Sequence, residues 1–204
     1  MGWLLDWPEI PTVLLALSGL CMLLFSNTRV LLGIMACEYL LSYWLMLTHL
    51  PLVESTAVLL AGVLAVLIIA ISTRAFSRQL LHNTSLPGSA AFRLAAGSIG
   101  ILAAVGALRA EVVQLSELSE VYSLGGLILM LAGFLHLGLT SNEIRIGLGL
   151  LTLLNGFSML YIAIEPSLAV VALIALVHLG IALTVSYAWL QTKYGTSAEG
   201  EGGT

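Results

Sequence analysis

Residues 57–71 read AVLLAGVLAVLIIAI, fifteen consecutive positions with no charged or hydrogen-bonding side chain. A strand of a membrane barrel would alternate apolar and polar residues along its length. This run shows no such alternation. Backbone groups in lipid must be satisfied internally, which leaves the α-helix. The rest of the chain agrees. Of 204 residues, 59% are hydrophobic and only 9% charged, and the mean hydropathy is +1.06. A soluble domain carries about a quarter charged residues. Seven basic and eleven acidic side chains cannot cover a water-facing surface of this size. The fold class is therefore all-α, an integral membrane helical protein.

A spanning helix needs roughly 20 apolar residues. Seven stretches qualify, at about 9–26, 30–50, 56–75, 90–109, 121–141, 145–164 and 167–190. Turn chemistry separates them: Ser26-Asn27-Thr28, His49-Leu50-Pro51, the run Asn83 to Gly88, Ser141-Asn142 and Glu165-Pro166. The polar stretch 110–120, AEVVQLSELSE, is expected at the surface. The chain divides into a three-helix unit at 1–84, a linker helix with a surface segment at 85–120, a second three-helix unit at 121–192 and a disordered tail at 193–204.

Orientation follows from the basic residues. With seven spans, Arg29, Arg74, Arg78, Arg93, Arg145 and Lys193 fall on one side, and Arg109 alone on the other. Asp6, Glu9, Glu54, Glu111, Glu117, Glu120 and Glu165 lie opposite the basic cluster. The expectation is a multi-pass protein of a prokaryotic-type inner (cytoplasmic) membrane, N-terminus outside and C-terminus cytoplasmic. The opening MGWLLDWPEI has no basic n-region, so the first helix is expected to be retained. Trp3, Trp7, Trp44 and Trp189 sit near span ends, as an aromatic belt would place them.

The two units resemble each other. Residues 26–40 read SNTRVLLGIMACEYL, and 141–156 read SNEIRIGLGLLTLLNG. Aligning Arg29 with Arg145 places Gly33 on Gly149 and Glu38 on Leu154. The Ser-Asn pairs match with one inserted residue, and Pro51 and Pro166 follow the second helix of each unit. One linker helix between three-helix units makes the repeats parallel.

Several function classes are excluded. The scattered basic residues form no nucleic-acid patch. Cys21 and Cys37 fall in apolar runs without ligand spacing and read as small buried hydrophobes. The glycines lie in apolar runs with no Lys-Ser/Thr follow-on, so no phosphate loop exists; close helix packing is their expected role. No ligand set for a redox centre or metal is evident, so no cofactor is expected. No nucleophile–base or carboxylate pair suggests an enzyme in its own right.

The remaining chemistry is intramembrane. Glu38 is the one acidic residue inside a span. An unpaired charge at mid-bilayer costs several kcal/mol, so Glu38 must face protein or water, or be protonated. Ser42 and His49, four and eleven residues on, share its helix face, with Leu45 between them. Glu38 is either a proton-relay group or a hydrogen-bonded packing group. His136 and His178 also lie at membrane depth and are either relay groups or neutral, bonded histidines. Asn155 is expected to bond across to another helix. Arg29 and Arg145 read as anchors at the membrane surface.

The segment 29–44, RVLLGIMACEYLLSYW, resembles the small three-helix K subunit of bacterial NADH dehydrogenase, complex I, and is similar to the small C subunit of multisubunit sodium/proton antiporters. The tandem arrangement looks more specifically like hydrogenase-4 component E. A Tyr-Ala-Cys-Gln-Ser motif of that family resembles Met35-Ala36-Cys37-Glu38-Tyr39, and a later Glu-Asn-Gly resembles Leu154-Asn155-Gly156. The resemblance implies a non-catalytic membrane-arm subunit of a complex I-like or group 4 hydrogenase-like assembly, translocating protons or sodium. Its partners would be antiporter-like membrane subunits and a peripheral redox module. In the K subunit, glutamates of the second and third helices belong to the proton-conducting axis. Here Glu38 keeps the second-helix position, but Leu154 replaces the acid of the second unit, and the last helix offers Leu176, Val177 and His178. The alternatives are a stand-alone small-solute transporter of three-plus-one-plus-three type, which usually breaks a helix in each repeat with proline, and a purely structural assembly subunit.

Overall fold

A computed structural model describes residues 9–74, 88–110 and 119–201. Among these residues the protein is seven α-helices: α1 (Glu9–Leu24), α2 (Thr28–Met46), α3 (Leu52–Arg74), α4 (Ala90–Arg109), α5 (Glu120–Gly138), α6 (Glu143–Ile164) and α7 (Leu168–Glu201). Six of them, α2 to α7, are long and apolar enough to cross a membrane. The 16-residue α1 is shorter, about 24 Å at 1.5 Å per residue. Trp3, Asp6, Trp7, Arg78, Glu111, Glu117 and the turn at 83–87 lie outside the described residues.

Local chemistry sets the helix starts. Asn27 and Asn142 cap α2 and α6, each accepting from main-chain N–H groups of the first turn, and Ser89 and Ser119 do the same for α4 and α5. Two ends differ from expectation. α2 ends at Met46, and the residues before Pro51 form a tighter turn in which Thr48 N and His49 N bond the carbonyls three residues back, Leu45 O and Met46 O. At the far end, α7 runs on to Glu201, beyond the boundary at 192 where the sequence suggests a disordered tail. No proline interrupts residues 193–201, and extending an existing helix avoids the cost of nucleating one.

The outward surface is apolar. Leu60, Ile71, Ile99, Leu102, Leu173 and Leu183 are all well exposed, an arrangement that only lipid tolerates over so wide an area. Cys37, expected to be buried, joins this exposed surface, while Cys21 is half-buried; both are free thiols.

Inside, α1 packs on α5, α2 on α6 and α3 on α7, while α4 lies against α1 and α5. The tightest seam is α5–α6. A Cβ at Gly156 would stand 2.5 Å from Gly126 O, and one at Gly133 would stand 2.6 Å from Leu153 N. Backbones approach this closely only where side chains are absent.

Two apolar cores stack along the bundle. One contains Met22, Leu31, Met35, Ile69, Leu148 and Ala182. The other contains Leu15, Leu45, Met46, Tyr122, Met159 and Val171. Between these two cores each of α1, α2, α3, α6 and α7 carries small or polar residues: Ser18, Glu38 and Ser42, Gly62, Thr152 and Asn155, and His178. A polar layer thus crosses the bundle at mid-depth.

Candidate functional site

The layer is centred on Glu38. Capping at Asn27 begins α2 at Thr28, so Glu38 stands ten residues in, about 15 Å along the axis. That is half the ~30 Å hydrocarbon thickness. Its side chain is fully buried. Oε2 accepts a hydrogen bond from Thr152 Oγ1 on α6 at 3.1 Å. The same hydroxyl lies 3.3 Å from Met22 Sδ on α1. Ser18, also on α1, faces the carboxyl group and donates to Leu15 O at 2.9 Å. Oε1 of Glu38 has no partner.

One turn on, Ser42 Oγ donates to the Glu38 carbonyl and accepts from Asn155 Nδ2 at 2.7 Å. Asn155 Oδ1 is left without a donor. Asn155 therefore bonds across to a second helix, and the pair ties α2 to α6 at the depth of Glu38. Interhelical bonds of this kind contribute about 0.6 kcal/mol on average in a membrane. A double-mutant cycle of Ser42→Ala and Asn155→Leu should return a coupling near ~0.6 kcal/mol, read by reversible unfolding in detergent–lipid micelles. A coupling indistinguishable from zero would mean that the two side chains do not interact.

Tyr39 leaves α2 roughly 100° around the helix from Glu38 and points between α3 and α7. Gly62 makes room for it, since a Cβ there would fall 2.2 Å from its ring. Its ring centroid is 5.7 Å from that of His178. His178 Nδ1 bonds Ile174 O at 2.9 Å. In a neutral imidazole this puts the proton on Nδ1 and the free lone pair on Nε2. Nε2 of His178 and the Tyr39 hydroxyl are both buried and unpartnered.

No family model, curated protein or solved structure matches this chain.

The other anticipated residues fall elsewhere. His136 is buried on α5, and its ring packs at Gly149, one turn from Arg145. It stands beside the Glu38 layer, toward the Arg145 end. His49, expected on the stripe of Glu38, Ser42 and Leu45, comes after the end of their helix. It lies beyond the end of α2, is exposed, shares a 2.6 Å hydrogen bond with Thr48 Oγ1, and rests 4.8 Å from the Tyr122 ring. The partial desolvation there lowers its pKa below the ordinary histidine value. The eleven-residue spacing presumes an unbroken helix, which the turn before Pro51 ends. Arg145 is also not a surface anchor. It is 2% exposed and donates through Nη2 to Phe25 O at 2.7 Å, holding the free carbonyl end of α1, where a cation also favours the helix dipole.

Thr152, Ser18 and Met22 are contacts that sequence reasoning missed. One signal for the first was present: Thr152 and Asn155, three apart on an apolar helix, share a face that must meet another polar face. Among the described residues, no group of three or more His, Cys, Asp or Glu could hold a metal ion. Chemically, the layer offers a titratable carboxyl with one unsatisfied oxygen beside hydroxyl groups, and elsewhere in the layer an amide and an imidazole.

Proposed function

We propose that this chain is a non-catalytic subunit of a complex I-like or group 4 hydrogenase-like membrane arm, with Glu38 taking part in its ion translocation. The observation that carries the reading is the fully buried Glu38 at mid-depth, with one carboxyl oxygen unsatisfied and Thr152 as its described donor. A group placed so expensively in a membrane is ordinarily functional. A purely structural role would be served as well by an amide, without the risk of a buried charge.

A tandem origin supports the same reading. Asn27 and Asn142 occupy the same capping position of α2 and α6 and are 115 residues apart, as are Pro51 and Pro166. That register brings Leu153, one residue before Leu154, to the place of Glu38. Corresponding helices also lie side by side and run the same way: Glu38 meets Thr152 and Ser42 meets Asn155 on α2 and α6, and Thr12 meets Val121 on α1 and α5. In this reading α4 is the linker between parallel three-helix units, and α1 completes seven spans. The end carrying Arg29, Arg93 and Arg145 is then cytoplasmic, with the N-terminus outside. The second unit, with no acid at that position, brings His178 to the layer, beside Tyr39 of the first unit.

Purification of the C-terminally tagged chain from native membranes in mild detergent tests the assignment. Co-purifying antiporter-like membrane subunits with a redox module are the expected result. A monomer or homodimer with no such partners would overturn it in favour of a stand-alone transporter.

A further inference from the structure

Thr152 has one hydroxyl hydrogen and two acceptors within reach. Its Oγ1 stands 3.1 Å from Glu38 Oε2 on α2 and 3.3 Å from Met22 Sδ on α1. Both contacts are buried. A hydroxyl donates once and accepts through two lone pairs, a carboxylate only accepts, and a thioether sulfur accepts weakly. Thr152 therefore donates to one of the two at a time, and the protonation of Glu38 decides which.

When Glu38 is ionised, the Thr152 hydrogen belongs on Oε2, because a bond to a charged acceptor is about twice as strong as one to a neutral acceptor. Met22 Sδ then has no donor, which a weak acceptor tolerates. When Glu38 is neutral, its proton has two places. On Oε1 it would be a buried donor with nothing to meet, since Oε1 has no partner, and an unmet buried donor is costly. On Oε2 it is donated to Thr152 Oγ1 across the same 3.1 Å. Thr152 must then turn its own hydrogen away, and Met22 Sδ is the acceptor placed to take it. The ionised state thus has one bond and the neutral state two, with every hydrogen used.

The remaining groups of the surrounding helices do not compete for the carboxyl. Ser18 spends its hydrogen on Leu15 O, and Arg145 holds Phe25 O. Tyr39 Oη, His136 Nε2 and His178 Nε2 are without partner. Cys21 precedes Met22 on α1, and Glu54 and Arg74 stand toward the two ends of α3.

We infer that Met22 is a positioning residue of the Glu38 site: its sulfur takes the Thr152 hydrogen when Glu38 is protonated, so that one hydroxyl serves the carboxylate as donor and the carboxylic acid as acceptor. The inference rests on the reading that Glu38 gains and loses a proton. Met22 lies in an apolar core, where a leucine would fill the space equally well but offer no lone pair.

The test follows Glu38 in the purified full chain in lipid vesicles by infrared spectroscopy across pH. The signal is the carbonyl stretching band of its neutral carboxyl, assigned by its loss in Glu38→Gln. Met22→Leu conserves volume, so the fold is kept. It removes a bond from the protonated state alone. At a given pH the ratio of protonated to ionised Glu38 should fall about threefold, the low end for a hydrogen bond because sulfur accepts weakly. Half-protonation then moves down by ~0.5 pH unit. In a Thr152→Val background the sulfur has no hydroxyl to receive, and Met22→Leu should leave the ratio unchanged, the signature of a pairwise coupling. An unmoved titration in Met22→Leu, or an equal shift in both backgrounds, would overturn the inference and leave the role of Glu38 standing. A Glu38 that stays in one state from about pH 4 to 10 would overturn both.

Discussion

Replacing Glu38 by Gln should abolish ion translocation by the assembled complex while leaving assembly intact. Gln has nearly the same shape, and its amide oxygen can still accept from Thr152 Oγ1, which donates to Glu38 at 3.1 Å. The packing between α1, α2 and α6 is therefore kept. What disappears is the only acidic side chain among the described residues of the mid-depth layer, and with it the capacity of that position to bind and release a proton. If a relay passes through this group, the loss is at least tenfold, since removing a positioned acid–base group typically costs about 10²–10⁴-fold in proton-transfer steps. The measurement is substrate-driven acidification of inverted membrane vesicles, normalised to the amount of complex. Unchanged pumping, or failure of the complex to assemble, would place Glu38 in a structural role. Thr152→Val removes the donor and keeps the carboxyl, so a relay predicts a weaker defect there than in the Gln variant.

The largest effect on stability should come from Gly156→Val. A Cβ at this position would stand 2.5 Å from Gly126 O and 2.7 Å from Met130 N, both backbone atoms of α5. Neither can swing away as a side-chain tip could. The α5–α6 seam must part along its length, breaking contacts that include the Tyr122 hydroxyl bond to Met159 O at 2.7 Å. Overpacking in a close-packed core costs about 1–3 kcal/mol and occasionally more. With backbone on both sides, the upper end of that range is expected, enough to abolish recovery of folded protein on size exclusion. Gly33→Ala is the control, because nothing lies within 4 Å of its added methyl. It should be neutral or slightly stabilising through helix propensity. Equal behaviour of the two variants would mean that the seam is not the close contact described here.

Much of this protein was determined by sequence alone. Runs such as 57–71 have no other way to satisfy their backbone in lipid, so the α-helical class and the approximate course of all seven helices follow from hydropathy. Asn27 and Asn142 mark helix starts because a capping side chain acts on residues two or three positions away. Glu38 stood out for the same reason of solvent: one acid in an apolar run has an energy cost that neighbours in sequence cannot relieve.

The tertiary structure decided what relieves it. A helix whose every face is apolar gives no phase to its rotation. The order of residues marks Glu38 with Ser42 and Thr152 with Asn155 as polar faces, but does not say that these two faces meet each other, or that Tyr39 turns toward His178. Arg145 illustrates the point at the helix end. Its position predicts a surface anchor, yet the approach of α1 covers it and occupies it with the Phe25 carbonyl. His49 is a second case: it follows the end of α2 at Met46, and its ring meets Tyr122 of a distant helix. Hydropathy is a one-dimensional property and sets which segments enter the membrane. Which polar groups meet there depends on helix rotation and register, and these are set by glycine contacts such as Gly126–Gly156 that form only when two distant segments pack.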